Sequence, residues 1–241
     1  MMKNSSLKYI RLWGRDLLNV IIPDLCTVCH TSLVNGEDIL CLKCLMDLPR
    51  TNLYKTQPNI IHERLISLSS PIERASSMFW YYRENEFASL IHDAKYNNRP
   101  KVARILAQTH AIELDSYSFF DGVYAILPVP MYWAKKLMRG YNQAEVIAGG
   151  ISDITGIPVS DNLSSIRYHS SQTRKGAMQR HENSKRVYAV IAPEDLDGKH
   201  ILLVDDVITT GATLVACMDA IHKVCPSTRF SVFSLALTHL R

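Results

Sequence analysis

No stretch of this sequence is apolar for long enough to cross a membrane or to form the core of a secretion signal. The nearest approach, Leu17 to Ile22, is short, and Arg15 and Asp16 interrupt the apolar residues before it. The phosphate-binding patterns G-x-x-x-x-G-K-[ST] and G-x-G-x-x-G are both missing, which argues against a P-loop nucleotidase and a dinucleotide-binding unit. No internal repeat or low-complexity tract occurs, so the chain does not read as a repeat array or a linker. Excess charge is slight as well. With 21% charged residues and a formal net charge of +4, the balance suits an anionic ligand but does not by itself argue for nucleic acid. Aromatic side chains are scarce where the chain is most basic and polar, since Ser164 to Arg186 and its flank offer only Tyr168 and Tyr188. That leaves a base-stacking platform there poorly supported.

What is present begins with Ile201 to Thr213, which runs through an apolar strand, the acid pair Asp205-Asp206 and a small, hydroxyl-rich turn, Thr209-Thr210-Gly211-Ala212-Thr213. Apolar residues at Leu214, Val215, Met218, Ile221 and Val224 then follow helical spacing. A helix start presents amides without intrahelical partners, so strand, turn and helix together make an anion site. Gly211 permits close backbone approach, and the threonine hydroxyls add donors. Two carboxylates would repel a phosphate but suit sugar hydroxyls or a hydrated Mg2+ beside it. A ribose 5-phosphate carries all of these groups together. The bland alternative, a helix capped by Thr209 or Thr210, accounts for the threonines and leaves the paired acids unexplained.

Six cysteines are present, four of them in two C-x-x-C pairs, Cys26/Cys29 and Cys41/Cys44. Four thiolates at this spacing suit a closed tetrahedral Zn2+ site, and Asn35-Gly36 between the pairs predicts a turn in a short hairpin-like ribbon. His30 abuts the first pair but has no necessary role, and Cys217 and Cys225 read as core residues. Lacking a secretion signal, the chain is expected in the reducing cytoplasm, where stable disulfides are rare.

The length of 241 residues accommodates one full core plus a smaller module. Residues 1–50 are expected to hold an amphipathic helix (Leu7, Ile10, Trp13, Leu17, Ile21) and the zinc ribbon, and 51–241 the larger domain. Across the latter, strands are expected at Ser76–Tyr82, Tyr124–Val129, Val187–Ile191, Ile201–Val204 and Phe230–Leu237. Helices are expected near Phe87–Tyr96, Lys101–Glu113 and Asn142–Ile154. Such alternation predicts an α/β fold with a mostly parallel sheet flanked by helices, binding its ligand at the carboxyl ends of strands. Asn142, with Glu145 three residues on, resembles a capping box. Lys135 and Arg139 precede that helix and read either as a grip on pyrophosphate or as a solvated face. Ser164–Arg186 reads either as a solvated loop or as a lid closing over a polyanion, with Arg174 and Lys175 as its cations.

Val204 to Thr213 resembles the phosphoribosyl pyrophosphate (PRPP) signature of type I phosphoribosyltransferases. The resemblance implies that Asp205 and Asp206 hold the ribose hydroxyls with Mg2+, and that Thr209 to Thr213 wrap the 5-phosphate. Further segments are similar to the ComF family: Ile91-His-Asp-Ala-Lys-Tyr96, Pro128-Val-Pro130, Arg139-Gly-Tyr-Asn-Gln-Ala-Glu145 and Ser171-Gln-Thr-Arg174 with Arg180 and Asn183. The double C-x-x-C belongs to that layout too. Lys175 departs from it, standing where many relatives carry an apolar residue. The resemblance implies a type I phosphoribosyltransferase fold behind a zinc ribbon and a link to natural competence. Two functions remain open: transfer of a phosphoribosyl group to an unknown acceptor, or a non-catalytic adaptor that senses PRPP or a nucleotide, or holds single-stranded DNA alongside competence proteins.

Overall fold

The computed structural model of the chain describes residues 23–65, 72–96, 99–167 and 186–239. The amphipathic helix expected around Leu7 to Ile21 lies outside these residues, as do Arg174, Lys175 and most of the expected lid. The chain divides into two units, one ending at Leu48 and the other beginning at Pro49.

In the first unit, Cys26 to Cys29 occupy a turn closed by a single antiparallel bridge between Leu25 and Ser32. Gly36 takes the left-handed conformation (φ +97°) that the Asn35-Gly36 turn requires. The second cysteine pair lies at the start of a helix, α1 (Leu42–Asp47), with Cys41 as its N-cap. The expected hairpin-like ribbon is built from one antiparallel bridge and one short helix.

The elements of the second unit are, in chain order, α2 (Ile60–Leu65), β1 (Ile72–Tyr81), α3 (Ala88–Tyr96), α4 (Pro100–Asp115), β2 (Ala125–Pro128), α5 (Trp133–Arg139), α6 (Gln143–Thr155), β3 (Leu163–Arg167), β4 (Arg186–Val190), β5 (His200–Ile208), α7 (Ala212–His222) and β6 (Arg229–Thr238). Four strands make one sheet in the order β1-β6-β5-β2, every pairing parallel. Ile201 to Val204 and Val232 to Leu237 are buried throughout. A strand covered on both faces reads as such a continuous apolar run.

Ile201, Leu203 and Val232 share one core with Leu214, Cys217, Met218 and Ile221 of α7 and with Ile61 and Leu65 of α2. Cys225 is in that core too, so both cysteines outside the C-x-x-C pairs are packing residues. The opposite face carries α4 and α6. There His110 of α4 meets Phe233 with ring centroids 5.6 Å apart, and Ser76 of β1 bonds the His110 ring at 2.9 Å. Gly150 sets the α4–α6 approach, because a Cβ at that position would lie 2.6 Å from the Arg104 carbonyl oxygen. A bidentate ion pair from Arg104 to Asp153 (2.7 and 2.8 Å) clasps the same crossing.

Three elements differ from expectation. β5 runs past Val204 to Ile208, because β6 stays alongside and pairs Asp205 with Ser234 and Val207 with Ala236. β3, which was not expected, pairs antiparallel with β4, the strand expected at Val187–Ile191, across the segment read as loop or lid, with Leu163 and Tyr188 buried. α5 is a short helix where only a turn was expected; its apolar residues Trp133, Leu137 and Met138 are exposed, so no core-facing periodicity announced it.

Candidate functional site

β2 ends one residue before β5 turns polar. Pro128 pairs with Val204, Val129 N donates to the Val204 carbonyl at 2.8 Å, and Pro130 follows. Beyond that point no described strand pairs with this edge of β5, and the acid pair lies there. Asp205 and Asp206 are half-buried, and Asp205 Oδ1 accepts from the Asp206 amide at 2.8 Å.

Asp206 is met by Lys95, whose Nζ lies 2.9 Å from Oδ2. Lys95 is carried by α3, which Tyr141 holds by donating its hydroxyl hydrogen to the Ala94 carbonyl at 2.7 Å. The turn before α6 and the helix bearing Lys95 are thereby tied together. Asn142 caps α6: its Oδ1 accepts from Ala144 N (3.1 Å) while its Nδ2 donates to the Val129 carbonyl (3.0 Å). Glu145 does not return to the N-cap amide as a full capping box requires. It is drawn outward to Lys136 Nζ (2.8 and 2.9 Å).

A cavity of about 190 Å3 opens over this strand end. Asp205, Asp206, Lys135, Arg139 and Thr213 all line it, together with Lys95. Three cations and two acids from separate stretches of sequence thus meet on one space. Thr209 lines an adjoining cavity, whereas Thr210, Gly211 and Ala212 line neither. Arg174 and Lys175 lie outside the described residues.

The turn that closes the site has the left-handed Gly211 (φ +84°) at the N-cap of α7, with no side-chain cap there. Neither Thr209 nor Thr210 is the N-cap, which removes the simple capping reading; Thr210 Oγ1 only receives a long bond from Ala212 N (3.4 Å). A Cβ on Gly211 would fall 2.4 Å from Leu65 Cδ2. Beside Leu65, Arg64 Nη1 donates to the Thr209 carbonyl at 3.0 Å. Arg64 Nε and Nη2 are buried without an acceptor among the described residues, and burial pushes its guanidinium below its ordinary pKa. Lys95, Asn142 and Arg64 were not singled out as site residues from sequence. Lys95 and Asn142 fall within quoted ComF-like segments, so position in those segments was the available signal; Arg64 had none.

In the first unit the sulfurs of Cys26, Cys29, Cys41 and Cys44 all lie within 4.8 Å of one another, Cys29 and Cys41 at 3.6 Å. Tetrahedral Zn2+ with bonds of about 2.3 Å places its sulfurs about 3.8 Å apart. The donor set therefore fits a zinc ion. Amides already point at sulfur, Cys41 N to Cys26 Sγ (3.4 Å) and Cys44 N to Cys41 Sγ (3.5 Å), as suits thiolates. Hydrogen bonds from the Thr31 side chain and amide pull the Cys29 thiol down to about 6, while burial pushes Cys44 up. Metal held here would cross-link two turns in a segment too short for a large core.

Residues 138–237 match the phosphoribosyl transferase domain family. Over 204 residues the chain is 24% identical to the DNA utilization protein YhgH of Salmonella typhimurium, covering 80% of this chain and 88% of that one. Over 180 residues it is 28% identical to Competence protein F of Haemophilus influenzae, covering 72% of each. Among solved structures, the purine phosphoribosyltransferase from Pyrococcus horikoshii Ot3 is similar at 20% identity and a TM-score of 0.38, over 56% of this chain and 73% of that one. The domain match and the parallel sheet flanked by helices make this a type I phosphoribosyltransferase domain, preceded by a four-cysteine cluster consistent with a zinc ribbon. Among the described residues no helix is long and apolar enough to cross a membrane.

Proposed function

We propose, on the premise of a ComF-family protein built on a type I phosphoribosyltransferase domain, that this chain binds PRPP or a related ribose 5-phosphate at the carboxyl end of β5. The observation that carries the reading is convergence: Asp205, Asp206, Thr213, Lys135 and Arg139 face one cavity although they come from segments some 70 residues apart. Asp205 and Asp206 take the ribose hydroxyls and a hydrated Mg2+. The turn Thr209 to Thr213, with the first amides of α7, takes the 5-phosphate. Lys135 and Arg139 neutralise the pyrophosphate, with Arg174 and Lys175 as further candidates.

Catalysis in such a site is positioning and charge stabilisation. A nitrogen of the acceptor forms a bond to C1 of PRPP as the C1–O bond breaks. The bonding pair leaves with pyrophosphate, and any proton on that nitrogen passes to solvent. We place the protein in the cytoplasm, with Zn2+ on Cys26, Cys29, Cys41 and Cys44, in a role linked to natural competence and DNA uptake. Titration calorimetry with PRPP and MgCl2 tests the site. Asp205→Asn and Asp206→Asn each weaken binding about 10- to 100-fold, the range for losing a hydrogen bond to a charged group; unchanged affinity in both variants overturns the reading.

One observation favours a second reading, a non-catalytic adaptor that holds single-stranded DNA. Trp133 stands 65% exposed on α5, next to Lys135 and Lys136, and supplies the stacking surface that the basic segment lacks. DNA affinity that falls steeply with salt and disappears in Trp133→Ala, without pyrophosphate release from PRPP, would favour it.

A further inference from the structure

Each C-x-x-C turn buries one sulfur and leaves the other within reach of solvent. Cys26 is fully buried, in a turn where its amide donates to the Thr31 carbonyl (2.8 Å) and its carbonyl accepts from His30 N (3.0 Å). Cys29 lies at the outside of that turn and is exposed, with Thr31 Oγ1 3.0 Å from its sulfur. In the second pair the order is reversed. Cys44, in the first turn of α1, is the buried residue of that helix, whereas Cys41 at the N-cap is half-buried. The two accessible sulfurs therefore come from different pairs, and they stand 3.6 Å apart.

Accessibility decides which thiolates an oxidant meets first, because cysteine oxidation follows thiolate character and exposure. A disulfide needs its sulfurs about 2.05 Å apart, so Cys29 and Cys41 are short of bonding distance by only about 1.5 Å. A Cys26–Cys29 bridge would instead draw on a sulfur sealed from solvent, one that already receives the Cys41 amide at 3.4 Å. Joining Cys29 to Cys41 leaves Cys26 and Cys44 packed as they are. It closes a loop through residues 30–40, which already turns back on itself at the left-handed Gly36. Such a bridge ties together the same two turns that a metal ion would. It leaves only two thiols, too few for a closed tetrahedral site.

We infer that Cys29 and Cys41 form an oxidation site, at which a hydroperoxide converts the four-thiolate cluster into a disulfide and releases its zinc. The inference goes beyond the ligand-binding reading of the other unit, and its metal half rests on zinc in the cluster. The Cys29 thiolate attacks one peroxide oxygen; an S–O bond forms, the O–O bond breaks and hydroxide departs, leaving a sulfenic acid. The Cys41 thiolate then attacks the Cys29 sulfur, forming the S–S bond and expelling a second hydroxide. Two electrons thus pass from the two sulfurs to one peroxide, and solvent protons turn both hydroxides to water. A thiol reductant reverses the exchange and restores four ligands.

The test treats the full-length, zinc-loaded chain with hydrogen peroxide. Released zinc is read with a chromogenic chelator, and disulfides are mapped by mass spectrometry after alkylation without reduction. About one zinc is expected for each Cys29–Cys41 bridge formed. Cys26, Cys44, Cys217 and Cys225 should remain open to alkylation once the chain is denatured, the last two because they lie in the core of the other unit. Dithiothreitol and ZnCl2 should restore the loaded state. Cys29→His keeps four donors for the ion, since zinc accepts imidazole in place of a thiolate. Under the same exposure it is expected to form no bridge and to lose no zinc. Limiting N-ethylmaleimide on the native chain gives a reading that no substitution can disturb, with Cys29 and Cys41 labelled before Cys26 and Cys44. A main product of Cys26–Cys29 or Cys41–Cys44, zinc retained under peroxide, or earlier labelling of Cys26 or Cys44 overturns the assignment. Purified protein without zinc overturns the metal half alone, and the Cys29–Cys41 bridge is then decided by mapping the metal-free chain.

Discussion

Arg64 reaches across 145 positions of sequence to donate to the carbonyl of Thr209, and it does so with two of its own nitrogens, Nε and Nη2, buried and without an acceptor among the described residues. Buried unpaired donors cost free energy, so this arginine is held at a loss to the fold. Arg64 is thus a positioning residue for the Thr209–Thr213 turn. Arg64→Met is expected to weaken PRPP about tenfold, roughly 1.4 kcal/mol, while the melting temperature holds or rises. A fall in melting temperature with unchanged affinity would make the residue merely structural.

The four-cysteine cluster predicts a metal content. Purified protein is expected to carry about one zinc per chain by elemental analysis. Cys26→Ser or Cys44→Ser should lose it, whereas Cys217→Ala and Cys225→Ala should retain it, since those two thiols lie in the core of the other unit. Zinc that persists in Cys26→Ser and Cys44→Ser alike would place the metal elsewhere.

Three buried histidines tie stability to pH. Burial lowers the pKa of His62, His110 and His200 below the ordinary value of 6.5, despite hydrogen bonds and charges that pull the other way. Around His110 the upward pull comes from Glu113 at 3.0 Å, whereas the Arg50 charge adds to the lowering. Below 6.5 the unfolded chain binds more protons than the folded one, so stability is fully present above that pH and is lost as pH falls through it. Glu113 adds to the loss at lower pH. Burial raises its pKa, but the His110 hydrogen bond and Arg50 outweigh this and leave it below the ordinary 4.5. Melting temperature is expected to be flat from pH 8 to 7 and to drop steadily to pH 5, less steeply in His110→Gln. A flat profile down to pH 5 would contradict the assignment.

The parts legible in the sequence were those with a strong local pattern. Ile201 to Val204 announced a strand covered on both faces, and the apolar spacing from Leu214 announced α7. Asn142 announced a cap, which it is, but Glu145 was claimed by Lys136, a competitor that spacing alone could not reveal. What escaped depended on long-range partners. β5 continues through Asp205 only because β6 runs beside it, and Lys95 joins the site only because Tyr141 anchors its helix. β3 looked too polar for a strand because it sends only Leu163 into the core and otherwise rests on its antiparallel partner.

The half-paired end of β5 has a consequence for solubility. A strand with one bare edge is a template on which another chain can add. Here the edge is occupied by its own side chain, since the Asp205 carboxylate takes the Asp206 amide, and the Asp206–Lys95 ion pair stands beside it. The acids therefore protect the molecule against edge-to-edge association in the absence of ligand. A ligand that draws Asp205 away exposes that amide only while itself standing in front of it. Removing both charges would leave a sticky edge, so loss of ligand binding and loss of solubility would arrive together at this strand.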